Sequence, residues 1–343
     1  MAALSQPTSS GPARWAPATT LNSPGEVDAR GVGRLLLAQK PADLKPHRAA
    51  LLKLATGAMR IGISSRLAKV AFAQAFDVSV EEVEEHWHGL SAPYEPLFAW
   101  AAHGEAPPDT ANLPTFRPFM LAHPLEDTVV DLADYAAEWK WDGIRVQLVR
   151  MAGETRLYSR GGDDISATFP ELLDVLPMDA VLDGELLVRG SHQGGEVGGA
   201  ASFNALQQRL GRKTVAKKML AESPAFVRLY DALIVEGEDL RERPWFERRA
   251  RLEALMERLP PSHFDLSQVV EAIDFDHLAR IREGARDDAI EGLMLKHRDS
   301  AYGTGRVRRA DGTERLAWWK WKIDPLTIDG VLIYAQAGHG RRA

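Results

Sequence analysis

The chain has 343 residues, of which 45% are hydrophobic and 26% charged, as is ordinary for a globular protein of two or three domains. It contains no cysteine, which excludes disulfides, thiolate catalysis and cysteine-based zinc sites. The formal net charge of −6 counts only weakly against nucleic-acid binding, because an average over the chain hides local patches. No apolar stretch is long enough for a membrane span, and no signal-peptide run is found, so we expect a cytoplasmic protein.

The first third of the chain predicts a small all-helical region between two irregular segments. Residues 1–34 are rich in Pro, Ser, Ala and Gly without apolar periodicity, and we expect them to be disordered. Residues 35–103 have helical periodicity, with one helix over 66–76 and another that begins after Ser79, a good N-cap followed by acids. Four prolines in residues 104–118 are typical of a linker.

From residue 119 onward, short apolar runs alternate with turns and helical stretches. The predicted strands cover 144–149, 155–159, 181–188 and 227–235, and the predicted helices cover 170–176, 203–210, 245–259 and 275–283. This pattern predicts an α+β domain over 119–327 with mostly antiparallel sheets. The glycine-rich residues 190–199 lack a phosphate-loop pattern and indicate a flexible turn. A new strand over 328–334 predicts that residues 328–343 begin a further domain that is truncated.

Lys140 stands out because aromatic residues flank it, at what we expect to be the start of a strand. Partial burial and nearby cations lower the pKa of an amine and make it a nucleophile. Gly143 would let the backbone approach a ligand, and Arg145 could hold a phosphate or a ribose. A solvated lysine beside an Asp-Gly turn remains the alternative, since Lys-x-Asp-Gly is a short motif.

Further along the chain, three strands carry polar residues that could face a ligand. Arg160 ends a strand and could meet a phosphate, or could be solvated in a turn. Glu185 lies between Gly184 and apolar residues, where a metal ion, an arginine or a ribose hydroxyl would compensate its charge; a hairpin with exposed acids is the alternative. Tyr230 could offer a ring face to a base, or could be a core aromatic residue.

The C-terminal part adds charges at strand ends. Glu291 and Lys296 bracket an apolar strand, where a cleft could form. Lys320 and Lys322 alternate with tryptophans, so they share one strand face. Two ammonium groups on one face repel each other unless an anion such as a triphosphate lies between them. A solvated edge strand with protective lysines is the alternative.

Taken in order, these segments resemble the motif series of the covalent nucleotidyltransferases: ATP-dependent DNA ligases, RNA ligases and mRNA-capping guanylyltransferases. Six segments carry the resemblance: 140–145, 159–160, 183–185, 229–231, 291–296 and 319–322. The DNA ligases are the most similar, because 54–62, 203–210 and 239–249 resemble their further segments, and the larger bacterial enzymes are the closest subgroup. The resemblance implies an ATP-grasp-like nucleotidyltransferase domain of antiparallel sheets flanked by helices, after a partial helical DNA-binding domain over 35–103.

The resemblance also implies roles around the nucleotide. Lys140 would attack the α-phosphorus of ATP and hold AMP as a phosphoramidate. Glu138 would contact the adenine edge, and Tyr230 would stack on adenine in place of the commoner Phe. Arg145 and Arg160 would bind the ribose and the phosphates.

The remaining implied roles concern the metal and the phosphates. Glu185 would hold the ribose or a metal ion, and Glu291 would serve Mg²⁺ or Mn²⁺. Lys320 and Lys322 would hold the α-phosphate and help to expel pyrophosphate, because cations must neutralise a triphosphate before a nucleophile can attack it.

The expected partner is nicked double-stranded DNA, bound through its phosphates without sequence readout. Residues 296–322 hold eight Lys/Arg (296, 298, 306, 308, 309, 315, 320, 322) against three acids (299, 311, 314), a local excess that offsets the acidic average. The resemblance implies a bacterial, nucleoid-associated monomer that could meet DNA-repair proteins.

Two departures from the family pattern leave alternatives open. An oligonucleotide-binding (OB-fold) domain normally follows the Lys320/Lys322 strand, and only its first strand is expected here, so self-adenylation could be slow and nick sealing incomplete. The helical domain also looks short. An RNA ligase or capping enzyme of the same superfamily, and an inactive DNA-binding fragment, are therefore the rival hypotheses.

Overall fold

The computed structural model describes residues 65–110, 112–126, 129–189, 206–207, 209–210, 215–285, 290–306, 318–324, 331 and 334. The chain divides into two compact units, Met1–Ala68 and Lys69–Ala343, and of the first unit only the beginning of one helix is described. Several predictions lie wholly or largely outside the described residues: the disorder of 1–34, the turn at 190–199, the helix at 203–210, the strand at 328–334, and Arg308, Arg309 and Arg315.

Three short helices form the described part of the helical region: α1 Ser65–Phe76, α2 Val80–Trp87 and α3 Glu95–His103. The predicted N-cap at Ser79 is confirmed, since its hydroxyl accepts from Glu82 N and the Glu82 carboxylate accepts from Ser79 N. No helix in the described part of the chain has the length and apolar character to cross a membrane.

The segment expected to be a linker is anchored to the domain that follows it. Arg117 N donates to Gln147 Oε1 at 2.6 Å, and Gln147 Nε2 donates to Arg117 O at 3.0 Å. Gln147 is fully buried, so these two bonds satisfy polar groups that water cannot reach. The segment therefore enters the core before the first strand begins.

Two sheets of mostly antiparallel strands form the framework of the domain that follows. We call them sheet I and sheet II. Sheet I has the order β1-β11-β10-β2-β9, with bounds His123–Pro124, Trp319–Lys322, Ile290–His297, Tyr135–Trp141 and Val269–Val270. Sheet II has the order β4-β3-β5-β6-β7, with bounds Glu154–Ser159, Ile144–Met151, Ala180–Val188, Ala225–Val235 and Glu238–Asp239, and β8 Phe264–Leu266 also pairs with β6. The antiparallel α+β prediction is confirmed.

The apolar side chains of the two sheets form three buried clusters. One cluster joins sheet II to α5 Trp245–Met256, a second joins Ala136 of sheet I to Val149 and Val181 of sheet II, and a third packs sheet I against α6 Phe275–Gly284. A short helix α4 Lys217–Glu222 precedes β6. Because the second cluster lies between the sheets, it holds their ends close enough to share a cavity.

One helix prediction is wrong. Residues 170–176 form only a 3-10 turn over Pro170–Leu172, preceded by another over Ser166–Thr168. Leu172 and Leu176 are both buried in the cluster beneath sheet II. Tertiary burial of these leucines decides the local backbone here rather than helical propensity.

Candidate active site

A cavity of about 400 Å³ opens where sheets I and II meet. All nine residues singled out from the sequence line it: Glu138, Lys140, Arg145, Arg160, Glu185, Tyr230, Glu291, Lys320 and Lys322. Sheet I supplies one wall through β2, β10 and β11, and sheet II supplies the other through β3, β5 and β6. The structure thus brings the predicted set together, while the role of each residue remains a prediction.

The sequence predicts Lys140 at the start of a strand. In the structure it lies at the end of one. It is the penultimate residue of β2, and the turn Asp142-Gly143 leads directly into β3 of the other sheet. A Cβ at Gly143 would lie 2.6 Å from Leu186 O and 2.8 Å from Glu185 Cγ. Gly143 therefore permits close approach of β5, and it also lines the cavity. The amine consequently lies at the junction of the two sheets.

A β-bulge aims Glu291 at the amine of Lys140. The pairing of β10 with β2 shifts register between Ile290 and Gly292, so Glu291 is displaced from the ladder. Its Oε2 lies 2.5 Å from Lys140 Nζ and 3.1 Å from Lys322 Nζ. Burial alone would raise the pKa of Glu291, but the two ammonium groups outweigh it and lower that pKa. Glu291 is therefore a carboxylate that bridges two cations.

Gly292 allows this bulge to form against β11. Its φ is +140°, and a Cβ there would lie 2.1 Å from Trp321 O. Only glycine fits a backbone with positive φ under such a close carbonyl. The residue thus fixes both the direction of Glu291 and the approach of the strand that carries Lys320 and Lys322.

Asp142 is a further charged group beside Lys140 that the sequence did not single out beyond its motif. Burial raises the pKa of Asp142, and the neighbouring Glu291, to which it hydrogen-bonds, raises it further. Lys140 and Lys322 oppose that rise. The lysine pair therefore faces two carboxyl groups that compete for one proton.

Lys320 and Arg160 give one side of the cavity an excess of positive charge. Burial lowers the pKa of Lys320, and the charges of Arg306, Lys322 and Arg160 lower it further. Within the described ranges, no carboxylate lies at ion-pair distance from either Lys320 or Arg160. Cations that converge without a protein counter-ion form a site for an anion.

Glu185 extends from the opposite wall toward these cations. Burial raises the pKa of Glu185 to about 8, against the charges of Lys140 and Arg145. The carboxyl therefore keeps most of its proton at neutral pH in the absence of a ligand. The interpretation of Asp183 and Glu185 as exposed acids of a hairpin is excluded, because both lie inside β5, and Asp183 is fully buried.

The far end of the cavity contains a buried ion pair that the sequence did not predict. Lys296 Nζ lies 3.2 Å from both carboxylate oxygens of Glu138, and each side chain is 2% exposed. Lys296 also donates to Tyr230 O at 3.1 Å, and its ammonium lies 4.7 Å from the centre of the Tyr230 ring. Burial raises the pKa of Glu138, which Lys296 and Arg249 oppose. Only the register of β10 on β2 reveals this pair.

Arg145 is largely committed to protein acceptors. Its guanidinium donates to Asp183 Oδ1 at 3.1 Å and Oδ2 at 2.6 Å, to Met120 O at 2.8 Å and to the Tyr302 hydroxyl at 3.1 Å. The Tyr302 hydroxyl in turn donates to Asp183 Oδ2 at 2.7 Å. At most one of the five guanidinium N–H groups remains for a ligand. The predicted ribose or phosphate contact of Arg145 is thus confined to one hydrogen bond.

The described residues hold no group of three or more His, Cys, Asp or Glu side chains that could ligate a metal by themselves. A divalent ion in this cavity would need ligands from another source. Glu185 and Glu291 supply carboxylates, and a bound polyphosphate would supply the remaining oxygens.

Comparison with known proteins gives one family match. The family described as "ATP dependent DNA ligase domain" matches residues 119–322, which include both sheets and every residue of the cavity named above. The match thus covers more than half of the chain.

Curated relatives and solved structures carry related descriptions. "Probable DNA ligase" of Koribacter versatilis is 30% identical over 339 residues, which cover 90% of this chain and 56% of that protein. "DNA ligase" of Methanothrix thermoacetophila is 31% identical over 311 residues, which cover 85% and 51%. A solved structure, "mycobacterial DNA ligase D complexed with ATP and MES", has 27% identity and a TM-score of 0.46, and the match covers 60% of each chain. The chain spans about half the length of the curated relatives it matches, 56% and 51% for these two.

Proposed function

Because the chain belongs to the family of ATP-dependent DNA ligase domains, we propose that it takes AMP from ATP onto Lys140 and passes it to the 5′-phosphate of a DNA nick. One observation carries the proposal. A lysine amine at the junction of two sheets faces a bridging carboxylate and further cations in a cavity of about 400 Å³. This arrangement suits attack by an amine on a polyphosphate.

The first step forms a bond between Lys140 Nζ and the α-phosphorus and breaks the bond from that phosphorus to the oxygen that bridges to the β-phosphorus. Pyrophosphate leaves with the electron pair of the broken bond. The amine has to lose a proton before or during attack. Glu291 Oε2, at 2.5 Å, is the carboxylate oxygen nearest to that proton. The Asp142 carboxyl, hydrogen-bonded to Glu291, offers a further place for it.

The cations of the β11 wall neutralise the phosphates. Lys320 and Lys322 alternate on one face of β11, and Arg160 approaches from the end of β4. Fixed cations in a part-buried cleft stabilise the charge that develops on the transferred and leaving groups. The pKa of Lys320, lowered by burial and by neighbouring cations, is expected to rise when a polyphosphate binds.

The residues fit a divalent ion held together with substrate oxygens. Glu291 Oε2 is buried and meets the two ammonium groups without a directed hydrogen bond, so it can turn toward another cation. Glu185 and Glu291 would hold Mg²⁺ or Mn²⁺, which commonly binds through one or two carboxylates plus phosphates. The ion supplies charge neutralisation at the phosphates when it is bound.

The base would occupy the opposite end of the cavity. Tyr230 presents its ring there, and Glu138 presents a carboxylate held by Lys296. An ionised carboxylate only accepts hydrogen bonds, so it favours the 6-amino group of adenine over the 6-oxo group of guanine. This polarity favours ATP over GTP, and so a ligase over a capping enzyme.

After the first step, AMP passes to the 5′-phosphate of the nick, and the neighbouring 3′-hydroxyl displaces AMP and closes the strand. The expected partner is nicked double-stranded DNA, met by a monomer at the nucleoid, with DNA-repair proteins as further partners. Of the cations in residues 296–322, those that do not line the cavity would contact the backbone phosphates.

Intact-mass analysis of the purified chain after incubation with ATP and Mg²⁺ tests the proposal. We expect one added AMP, absent in Lys140→Ala and present in Lys218→Ala, a control at a lysine that is 83% exposed on α4. GTP in place of ATP separates the capping hypothesis, and nicked RNA in place of nicked DNA separates the RNA ligases. A mass that stays unshifted in ATP and Mg²⁺ would support an inactive DNA-binding fragment and overturn the proposal.

A further inference from the structure

The turn that carries Arg160 is covered by the imidazole of His88, the C-cap residue of α2. Gly162 in this turn has a φ of +81°, and a Cβ there would lie 2.5 Å from His88 Cε1 and 3.2 Å from both ring nitrogens. The Cε1 edge of the ring therefore occupies the space in which a side chain at position 162 would begin. Glycine at this position satisfies the positive φ and leaves room for the ring.

His88 is itself held firmly from the side of the helices. Lys69 Nζ on α1 lies 3.1 Å from His88 Nε2, which therefore accepts the hydrogen bond, and Lys69 is only 6% exposed. The ring also packs edge-on against Phe116, with centroids 5.0 Å apart. Burial, together with the charge of the nearby Lys69, lowers the pKa of His88 to about 4, so the ring is neutral at physiological pH.

The turn transmits the position of Gly162 to Arg160. Ser159 N donates to Asp163 O at 2.9 Å, and Gly162 N donates to Ser159 O at 2.9 Å. The Ser159 hydroxyl accepts from Gly161 N and Asp163 N, each at 3.3 Å. These bonds tie the turn into one unit, so a displacement of Gly162 moves the backbone of Arg160. Arg160 lines the cavity, and no acid in the described part of the chain pairs with it.

We infer that His88 is a positioning residue, which acts through Gly162 to hold Arg160 toward the polyphosphate-binding part of the cavity. The inference rests on the proposed function only for the identity of the anion as the phosphates of ATP. On this basis, α1 and α2 contribute to nucleotide binding without touching the nucleotide. Lys69 on α1 contacts His88, and His88 contacts the turn at Gly162.

The test measures the affinity of the full chain for inorganic tripolyphosphate by titration calorimetry, which requires no turnover. We expect Arg160→Ala and His88→Ala each to weaken binding on the order of tenfold, because an ångström-scale misplacement of a charged group costs that much or more. In the Arg160→Ala background, His88→Ala should have no further effect. A purely structural role of His88 would weaken binding whether or not Arg160 is present, and that outcome would overturn the inference.

A matched pair of glycine variants tests the contact from the other side. Gly162→Ala pushes the turn off the ring, whereas Gly153→Ala, in the β3–β4 turn at φ +83°, carries the same backbone strain and meets nothing within 4 Å. We expect weaker binding in the first variant only, and faster amide hydrogen exchange at 160–163 in the first variant only. Equal behaviour of the two variants would overturn the inference. The glycine pair decides the question if His88→Ala fails to fold.

The proposed function can fail separately. If tripolyphosphate binding depends on His88 through Arg160 but no AMP adduct forms on Lys140, then the positioning role stands and the ligase chemistry does not. If the adduct forms with the same dependence on ATP concentration in His88→Ala as in the unaltered chain, then the ligase chemistry stands and the positioning role does not.

Discussion

Replacing Gly292 with alanine should displace β11 from β10 and separate the cations of the cavity. A Cβ at Gly292 would lie 2.1 Å from Trp321 O, and ordinary contact begins at 3.4 Å, so β10 and β11 have to separate by about 1.3 Å (3.4 − 2.1) to restore it. Lys320 and Lys322 lie on β11 and move with it. The 3.1 Å contact of Lys322 with Glu291 would then be lost.

The cost has two parts, positive φ strain and steric overlap, which together destabilise the fold by about 2–5 kcal/mol. A shift of more than an ångström in the groups that hold the phosphates lowers the rate of Lys140 adenylation by roughly 10²-fold. Urea unfolding measures the stability, and time-resolved intact mass with ATP and Mg²⁺ measures the rate.

Gly303→Ala is the matched control, because a Cβ there meets nothing within 4 Å. We expect this variant to match the unaltered chain in both measurements. If Gly292→Ala also matched it in stability and in rate, the bulge would have no part in aiming Glu291 or seating β11, and the account of the site would be refuted.

Other predictions concern the titration and pairing of buried groups. Burial raises the pKa of Glu185 from 4.5 to about 8, so the folded chain holds the extra proton and loses stability as pH rises from 4.5 to 8. Urea unfolding at pH 5 and pH 9 measures this loss as a difference in the free energy of unfolding. Glu185→Gln should reduce that difference by roughly 1–2 kcal/mol, a figure lowered to allow for the partial exposure of the side chain. The pKa of His88 is lowered from 6.5 to about 4, so the unfolded chain binds the extra proton and stability falls as pH drops from 6.5 toward 4. In a plot of melting temperature against pH, His88→Gln should reduce the slope between pH 6.5 and 4. An unchanged slope would contradict the lowered pKa of His88. Asp231→Ala should destabilise the chain by about 3–5 kcal/mol, because it leaves the fully buried Arg248 without its partner. Asp239→Ala breaks the more exposed ion pair of Asp239 with Arg241 and should lower the free energy of unfolding by less than about 1 kcal/mol. Equal destabilisation by Asp231→Ala and Asp239→Ala would refute the argument from burial.

The strands of sheet II could be predicted closely because their apolar runs are long and their turns carry clear signals. The run 227–235 corresponds to β6 Ala225–Val235, and 181–188 corresponds to β5 Ala180–Val188. The lysines at 320 and 322 could be placed on one face because side chains in a strand alternate. Periodicity within a single strand was sufficient for each of these predictions.

Contacts between strands that are distant in the sequence could not be predicted in the same way. The pair Glu138–Lys296 joins residues 158 positions apart, and it exists because β10 is paired with β2 in one register. A shift of one residue would turn Lys296 to the other face of sheet I. The bulge at Glu291 also depends on pairing, although Gly292 beside it was a visible signal. The contact of His88 with Gly162 could not be predicted from the sequence around either residue.

The order of the strands in sheet I has a consequence during synthesis of the chain on the ribosome. The strand that carries Lys140 pairs with β10, which begins at Ile290, and β10 pairs with β11, which ends at Lys322. A nascent chain that has emerged only as far as sheet II therefore holds the Lys140 amine without Glu291, Lys320 or Lys322 beside it. Domains generally fold as units as they emerge from the N-terminus. The wall that carries Lys320 and Lys322 is therefore added to the cavity only after residue 322 has emerged.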